Sequence, residues 1–462
     1  MKQIKLSLLT IASGLVLFTS CSKSGSDATN ISKPPLQIGQ ALADNVPCGA
    51  VKGTMLSGHT YTISCPISVN AGDTLYMQNN VTVNVTNPQA SIAVKGIMIS
   101  AGTKTQPNTI TVPGLTKTDN LTAAANTSAD PAYKGNWCGI QCDTSCKMFI
   151  MKWTHLEFGG ATYVTPPLPV FTAGGISYVL YFSNPNGICV FEDSWIYGAV
   201  DDAVRFAGGK ISFQRNTIEK AGAIGGDVFN AKHGTVGIMA YNLFVGTATN
   251  GTKASDKGSS TAPACHIDMY NNTYINGGYR QIQTGRGGDV NYEQGSYGQA
   301  YNNLMVNCKF GFRIVGNPIA DTANCHYGYS YQYGDADSIV NQFYPVAYVT
   351  IPKSSDIPAP SSFLNLSTYM LGDVYSAHSL VDANNPQFAN YPLPSPSGNL
   401  VTYASGFDFH LKSTSPAIGK GFTGFTPIAN AVPVDSVFGA SELTPPGIDM
   451  GAYQSNGTGN HH

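Results

Sequence analysis

The stretch MAYNLF (239–244) superposes on four others along the chain: FEDSWI (191–196), FQRNTI (213–218), MYNNTY (269–274) and AYNNLM (300–305). Each copy opens on a small or apolar residue, passes two variable positions, reaches a ladder position and returns to an apolar residue two places later. The ladder positions hold Ser194, Asn216, Asn242, Asn272 and Asn303, at steps of 22, 26, 30 and 31 residues; MKWTHL (151–156) is a weaker earlier copy. One coil of just over twenty residues, stacked on the next at the interstrand spacing of about 4.8 Å, explains the repeat. An Asn at one corner then lies over its neighbour and hydrogen-bonds along the stack, satisfying corner amides that otherwise lack a partner. The expected fold is all-β: a right-handed parallel β-helix, in which inward residues form apolar columns and outward residues meet water or ligand. An antiparallel sandwich would instead show tight two-residue turns and alternating faces. The growing step is assigned to loops, of which TKASDKGSSTAPA (252–264) and TGRGGDVNYEQGSYG (284–298) are the clearest.

Composition narrows the function classes. Of 462 residues only 25 are Lys or Arg and 27 Asp or Glu, a net of −2. A nucleic-acid footprint needs clustered positive charge, so no nucleic-acid partner is expected. Charge-driven disorder is excluded as well, since 42% of the chain is apolar or aromatic.

The N-terminus carries an address. In MKQIKLSLLTIASGLVLFTSC (1–21), Lys2 and Lys5 precede an apolar run from Leu6 to Phe18, and Thr19-Ser20 stand before Cys21. The run is shorter than the roughly 20 residues that span a bilayer. The segment resembles a bacterial lipoprotein signal peptide, which implies removal of 1–20 and acylation of Cys21. Residues 21–47, polar and Ser- and Pro-containing, read as a tether. The expected location is the outer membrane, with the chain displayed at the cell surface. Export permits disulfides. Nine Cys follow Cys21 (48, 65, 138, 142, 146, 189, 265, 308 and 325), an odd number, so at least one stays unpaired or joins another chain. Cys48 and Cys65 bracket the first ordered segment and are the expected disulfide. WCGIQCDTSC (137–146) lacks paired zinc-site spacing and reads as structural thiols or disulfides.

Further segments carry a family likeness. AGDTLYMQNNVTVNV (71–85) and SIAVKGIMISAGTKTQPNTITV (91–112) look like the opening coils of secreted bacterial right-handed β-helix proteins of the pectate-lyase-like superfold. NWCGI (136–140), MKWTHLEFGGA (151–161) and GAVDDAVRFAGGKISFQRNTIEKAG (198–222) resemble the coils that follow, and DFHLKSTSPAIGKG (408–421) and GIDMGAYQ (447–454) the closing segments. The resemblance implies the fold and an exported location. It says little about activity, because that fold hosts lyases, hydrolases and adhesins alike. The helix is expected over 48–316, and 317–462 as an irregular Tyr/Pro-rich extension with closing segments packed on it.

Three groups of residues are candidates for chemistry. Asp201 and Asp227 each lie 15 residues before a ladder Asn, which predicts stacking on adjacent coils. Two such carboxylates suit a Ca²⁺ site, the one cofactor considered, or a retaining glycosidase pair; turn-capping Asp residues are the simpler reading. Lys232, His233, Arg205, Arg280 and Arg313 supply residue types that uronate β-elimination uses, a cation for the carboxylate and a base for the proton. They predict a shallow polar groove; solvated outer side chains are the plainer alternative. In HYGYSYQYGD (326–335), Tyr327, Tyr329, Tyr331 and Tyr333 recur at period two, so on a strand all four rings share one face and would stack on sugar or on a partner protein if exposed. The expected function is noncatalytic binding of a polysaccharide or an envelope protein by a lipid-anchored surface β-helix. A polysaccharide lyase or glycoside hydrolase is the first alternative, and a fibre or surface-layer subunit the second.

Overall fold

Strands of two to five residues, separated by corners, are what the runs of β-branched and aromatic residues build. In the computed structural model of the chain, the described residues are 39–118, 124–256, 263–283, 286–315, 318–336, 339, 385–393, 406–428 and 431–462, all within the unit Lys33–His462. Every third strand pairs in parallel, giving a first sheet of ten strands (Gly49–Ala50 to Phe312–Val315), a second of eight (Gly53–Met55 to His266–Tyr270) and a third of ten (Thr60–Ile63 to Tyr331–Tyr333). A short parallel pair, Gly298–Tyr301 with Cys325–Gly328, carries the second sheet's position through the last two coils. This is the right-handed parallel β-helix.

The core is a set of inward columns. In the second sheet Leu75, Met98, Phe149, Cys189 and Ile211 are in register on successive coils and lie in the buried cluster. The rings of Phe191 and Phe213, one coil apart, stack at 5.3 Å between centroids.

Between the second and third sheets runs the ladder. The backbone N–H of Ser194 donates to Asn216 Oδ1 at 3.0 Å, Asn216 to Asn242 at 2.9 Å, Asn242 to Asn272 at 3.0 Å and Asn272 to Asn303 at 3.1 Å. Thr154 joins from below through Ser194 Oγ at 3.1 Å. The residue before each ladder position is left-handed: Trp153, Asp193, Arg215, Tyr241, Asn271, Asn302 and Tyr329 have φ between 45° and 59°. That conformation turns the chain sharply, and the Thr, Ser or Asn that follows from Thr154 to Asn303 joins the ladder of hydrogen bonds in the buried corner.

The side chains of this left-handed column project outward and receive residues from 406–428 and 431–462. Asn302 accepts from Phe422 N–H at 2.7 Å and Asn271 from Gly447 N–H at 3.0 Å; Tyr241 Oη donates to Pro445 O at 2.6 Å. Asp193 meets His461 Nδ1 at 2.9 Å, and the rings of His461 and His462 lie against Trp153 and Trp195. The closing segments therefore pack on the helix, as the sequence implies.

Four boundaries differ from the sequence reading. The helix continues past 316 through one more coil, to Tyr333. Residues of the expected tether already pair with the first coil, through the bridges Ala41–Thr54 and Asn45–Thr62. Both presumed loops contain strands of the first sheet, Thr252–Ser255 and Val290–Glu293; Lys253, Asn291 and Glu293 on their outer faces hide the alternation. Cys48 and Cys65 form the expected disulfide, with Cα atoms 5.6 Å apart, while Cys138, Cys142, Cys146, Cys189, Cys265, Cys308 and Cys325 are buried thiols. Residues 1–20, Cys21 and most of the tether lie outside the described residues.

Candidate functional site

The outer face of the first sheet collects the polar side chains. Its strands alternate, so that with Leu180 and Phe182 inward, Tyr181 points out. The outward column over six consecutive coils reads Tyr181, Arg205, Asn230, Lys253, Asn291 and Arg313. Beside it run Ala207, Lys232, Ser255 and Glu293. Lys232 Nζ donates to Ser255 Oγ at 2.9 Å, and Lys253 Nζ to Glu293 Oε1 at 3.0 Å.

At one end of this face lies a groove of about 460 Å³. Its roof is an inserted hairpin whose neck pairs Tyr163 with Gly174 and Gly175. Phe171 from the hairpin packs edge-on to Tyr181 at 5.0 Å and to Tyr178 at 6.1 Å. The guanidinium of Arg205 lies 5.0 Å from the centre of the Tyr178 ring, donates to its hydroxyl at 2.7 Å and reaches Asp202 Oδ2 at 3.4 Å. Asp143, Leu168, Val170, Ser183 and His233 also line it.

A second ladder supports this face where the chain enters the first sheet. Asp227 N–H donates to Asp202 Oδ1 at 2.8 Å, Asn250 N–H to Asp227 Oδ1 at 3.1 Å and Gly288 N–H to Asn250 Oδ1 at 3.1 Å. Asn230 Nδ2 bridges Asp202 Oδ2 at 2.8 Å and Asp227 Oδ2 at 3.0 Å. The stacked pair is thus Asp202 with Asp227, and the expected Asp201–Asp227 register is off by one. Ala207 pairs with Lys232 and Lys210 with Val236. Two residues, Gly208-Gly209, therefore turn the lower coil where three, His233 to Thr235, turn the upper one. That extra residue shifts the count back from the Asn ladder.

Burial raises the carboxyl of Asp227 to about 6, with Lys253 opposing and Asp202 adding to the rise. Burial and then the charge of Asp227 raise Asp201; burial and then Asp201 raise Asp202. Lys232 falls to about 8, through burial and then the neighbouring charges of Lys253 and Arg205.

The donor set does not fit Ca²⁺. Both oxygens of Asp202 and of Asp227 already accept protein hydrogen bonds, and among the described residues no group of three or more His, Cys, Asp or Glu is placed to hold a metal ion. The same bonds occupy both oxygens of Asp227, one member of the expected glycosidase pair.

Of the seven candidate residues, Asp201 and Asp227 from the carboxylate pair and Arg205, Lys232 and His233 from the expected groove come together here, and Arg313 lies farther along the outward column. Arg280 does not. It is buried in a corner, donating to the carbonyls of Ala221, Gly222 and Gly246 beneath the ring of Tyr133. The tyrosine stripe is also corrected. The chain turns at Tyr329 and Ser330, so Tyr327 enters the interior column while Tyr331 and Tyr333 face the cluster formed with Phe388, Phe409 and Met450. Tyr327, Tyr331 and Tyr333 are at most 2% exposed, and Tyr329 stacks on Phe422 at 5.0 Å, so no binding surface forms there.

The sequence reading missed Phe171, Tyr178 and Tyr181, which sit on an insertion and the strand after it. It also missed Asp202 and Asn250, whose steps of 25 and 23 residues to Asp227 carry a repeat signal of the same kind as the Asn ladder. No protein-family model, curated protein or solved structure matches the chain.

Proposed function

We propose that the protein binds a glycan in the groove over its first sheet, without catalysis, and is held at the cell envelope by an acylated Cys21. The observation that carries this reading is the aromatic lining set by Phe171, Tyr178 and Tyr181 beside the Arg205 guanidinium, open at the surface. Aromatic faces stack on the apolar C–H faces of sugar rings, and a few fixed polar groups orient the hydroxyls. The carboxylates nearby act as scaffold. The oxygens of Asp202 and Asp227 are engaged by backbone and amide donors, so neither stands as a free acid or base.

Titration calorimetry of the intact protein with polysaccharides extracted from its own envelope tests the proposal. Saturable binding without change in polymer length supports it, while binding that survives Phe171→Ala and Tyr178→Ala together places the site elsewhere. The anchor is tested separately by incorporation of labelled palmitate, which Cys21→Ser should abolish.

A further inference from the structure

The groove's charges point to the class of sugar. Three cations stand on or beside it, Arg205 in the lining and Lys232 and Lys253 beside it, against five carboxylates, Asp143 in the lining and Asp201, Asp202, Asp227 and Glu293 beside it. Arg205 is committed to Asp202 and the Tyr178 hydroxyl, and Lys253 to Glu293. Lys232 is buried at 6% exposure and bonded to Ser255. The face is thus balanced to slightly acidic. An incoming carboxylate or sulfate would have to break an existing ion pair and would add a negative charge to a cluster in which Asp201, Asp202 and Asp227 already oppose one another's ionisation. A hydroxyl-rich, uncharged ring faces neither cost, and the lining it would touch, Leu168, Val170, Phe171 and Tyr181, is apolar or aromatic.

We infer that the groove takes uncharged sugar residues and rejects uronate- or sulfate-bearing chains, with Asp201 and Asp202 setting the choice. The inference rests on the glycan-binding reading and narrows it. Discrimination of this kind comes from the repulsive element as much as from the attractive one. Asp201 is the better handle, because it lies one residue outside the Asp202–Asp227–Asn250 ladder and its removal leaves those backbone bonds in place.

Affinity electrophoresis of the intact protein through native gels holding a soluble β-glucan, a galactomannan or alginate gives a direct test. The expected result is retardation by at least one neutral polymer, unchanged when ionic strength is raised, and none by alginate. Asp201→Asn should then raise retention on alginate about threefold to tenfold while retention on the neutral polymer holds, the worth of one like charge at a half-exposed site. Glu293→Gln, beside Lys253 and away from the ladder, gives the same direction as a second variant. Retardation by alginate equal to or above that by the neutral polymers overturns the selectivity and leaves glycan binding standing. Retardation by none of the three polymers overturns both.

Discussion

Two ladders hold this helix, and they differ in one functional group. Between the second and third sheets, Asn216, Asn242 and Asn272 each offer an oxygen to the backbone below and an Nδ2 that donates onward, to the next ladder oxygen at 3.0, 2.9 and 3.0 Å. An amide both accepts and donates, so each member bonds the next, and the remaining Nδ2 capacity goes to nearby backbone carbonyls. At the mouth of the first sheet, Asp202 and Asp227 accept the same kind of backbone bond, but a carboxylate only accepts. Asn250 Nδ2 meets part of its capacity from within the column, at 2.6 Å from Asp227 Oδ1, and Asn230 and Arg205 come in from outside to meet the rest. The neutral ladder is purely architectural, whereas the acidic one gathers polar side chains beneath the groove.

That contrast can be broken most forcefully at Asn242. Replacing it by Ala removes the acceptor for a buried backbone N–H and for Asn216 Nδ2, and should cost about 2–3 kcal/mol in urea unfolding. Asp202→Ala removes the acceptor for Asp227 N–H in the same way but also relieves repulsion with Asp201 and Asp227, so the loss should be smaller, about 1–2 kcal/mol. An equal or larger loss at Asp202 would show that the acidic ladder is the stronger one.

Acidity sharpens the comparison further. The folded carboxyl of Asp227, at about 6, lies above the unfolded value of about 3.9. The native state therefore binds the extra proton between those values, and this group's contribution is fully present below about pH 4 and lost as pH rises through about 6. Urea titrations across that window should show a slope, about 2–3 kcal/mol in total, that Asp227→Asn removes. Asn242→Ala should leave the slope unchanged, since a neutral ladder has no proton to exchange.

The end of the docked segment gives an effect of opposite sign. Burial holds His155 at about 4 and His462 at about 3, where their rings stack on Trp195. These values lie below the unfolded value of about 6.5, so docking weakens as pH falls from there. Tryptophan emission, carried partly by Trp153 and Trp195, should shift between about pH 6.5 and pH 4 and should shift less in the His462→Phe variant, where only His155 of the two remains.

The fold was legible because its strongest signal is a chemical identity repeated at one corner. Four Asn and a Ser at coil-length steps need one explanation, and the hydrogen bonds from Ser194 to Asn303 supply it. Position within a coil was less legible. One extra residue in a turn, His233 to Thr235 against Gly208-Gly209, moved the acidic register from Asp202 to Asp201, because a count from a distant anchor accumulates every insertion between. The tyrosines of 326–335 show a second limit. Period two describes a strand, but a left-handed residue such as Tyr329 ends one strand and starts another without leaving a glycine to mark it. The groove was partly visible as Arg205, Lys232 and His233, whereas its aromatic half comes from an insertion that the repeat cannot reach.

The most direct test sets the two regions against each other in one gel. Native electrophoresis through a neutral polysaccharide that retards the wild type, run where all variants are folded, compares Asn242→Ala with Phe171→Ala. The account predicts that Asn242→Ala is retarded like the wild type and that Phe171→Ala runs free. Retention of Phe171→Ala together with loss in Asn242→Ala would contradict it.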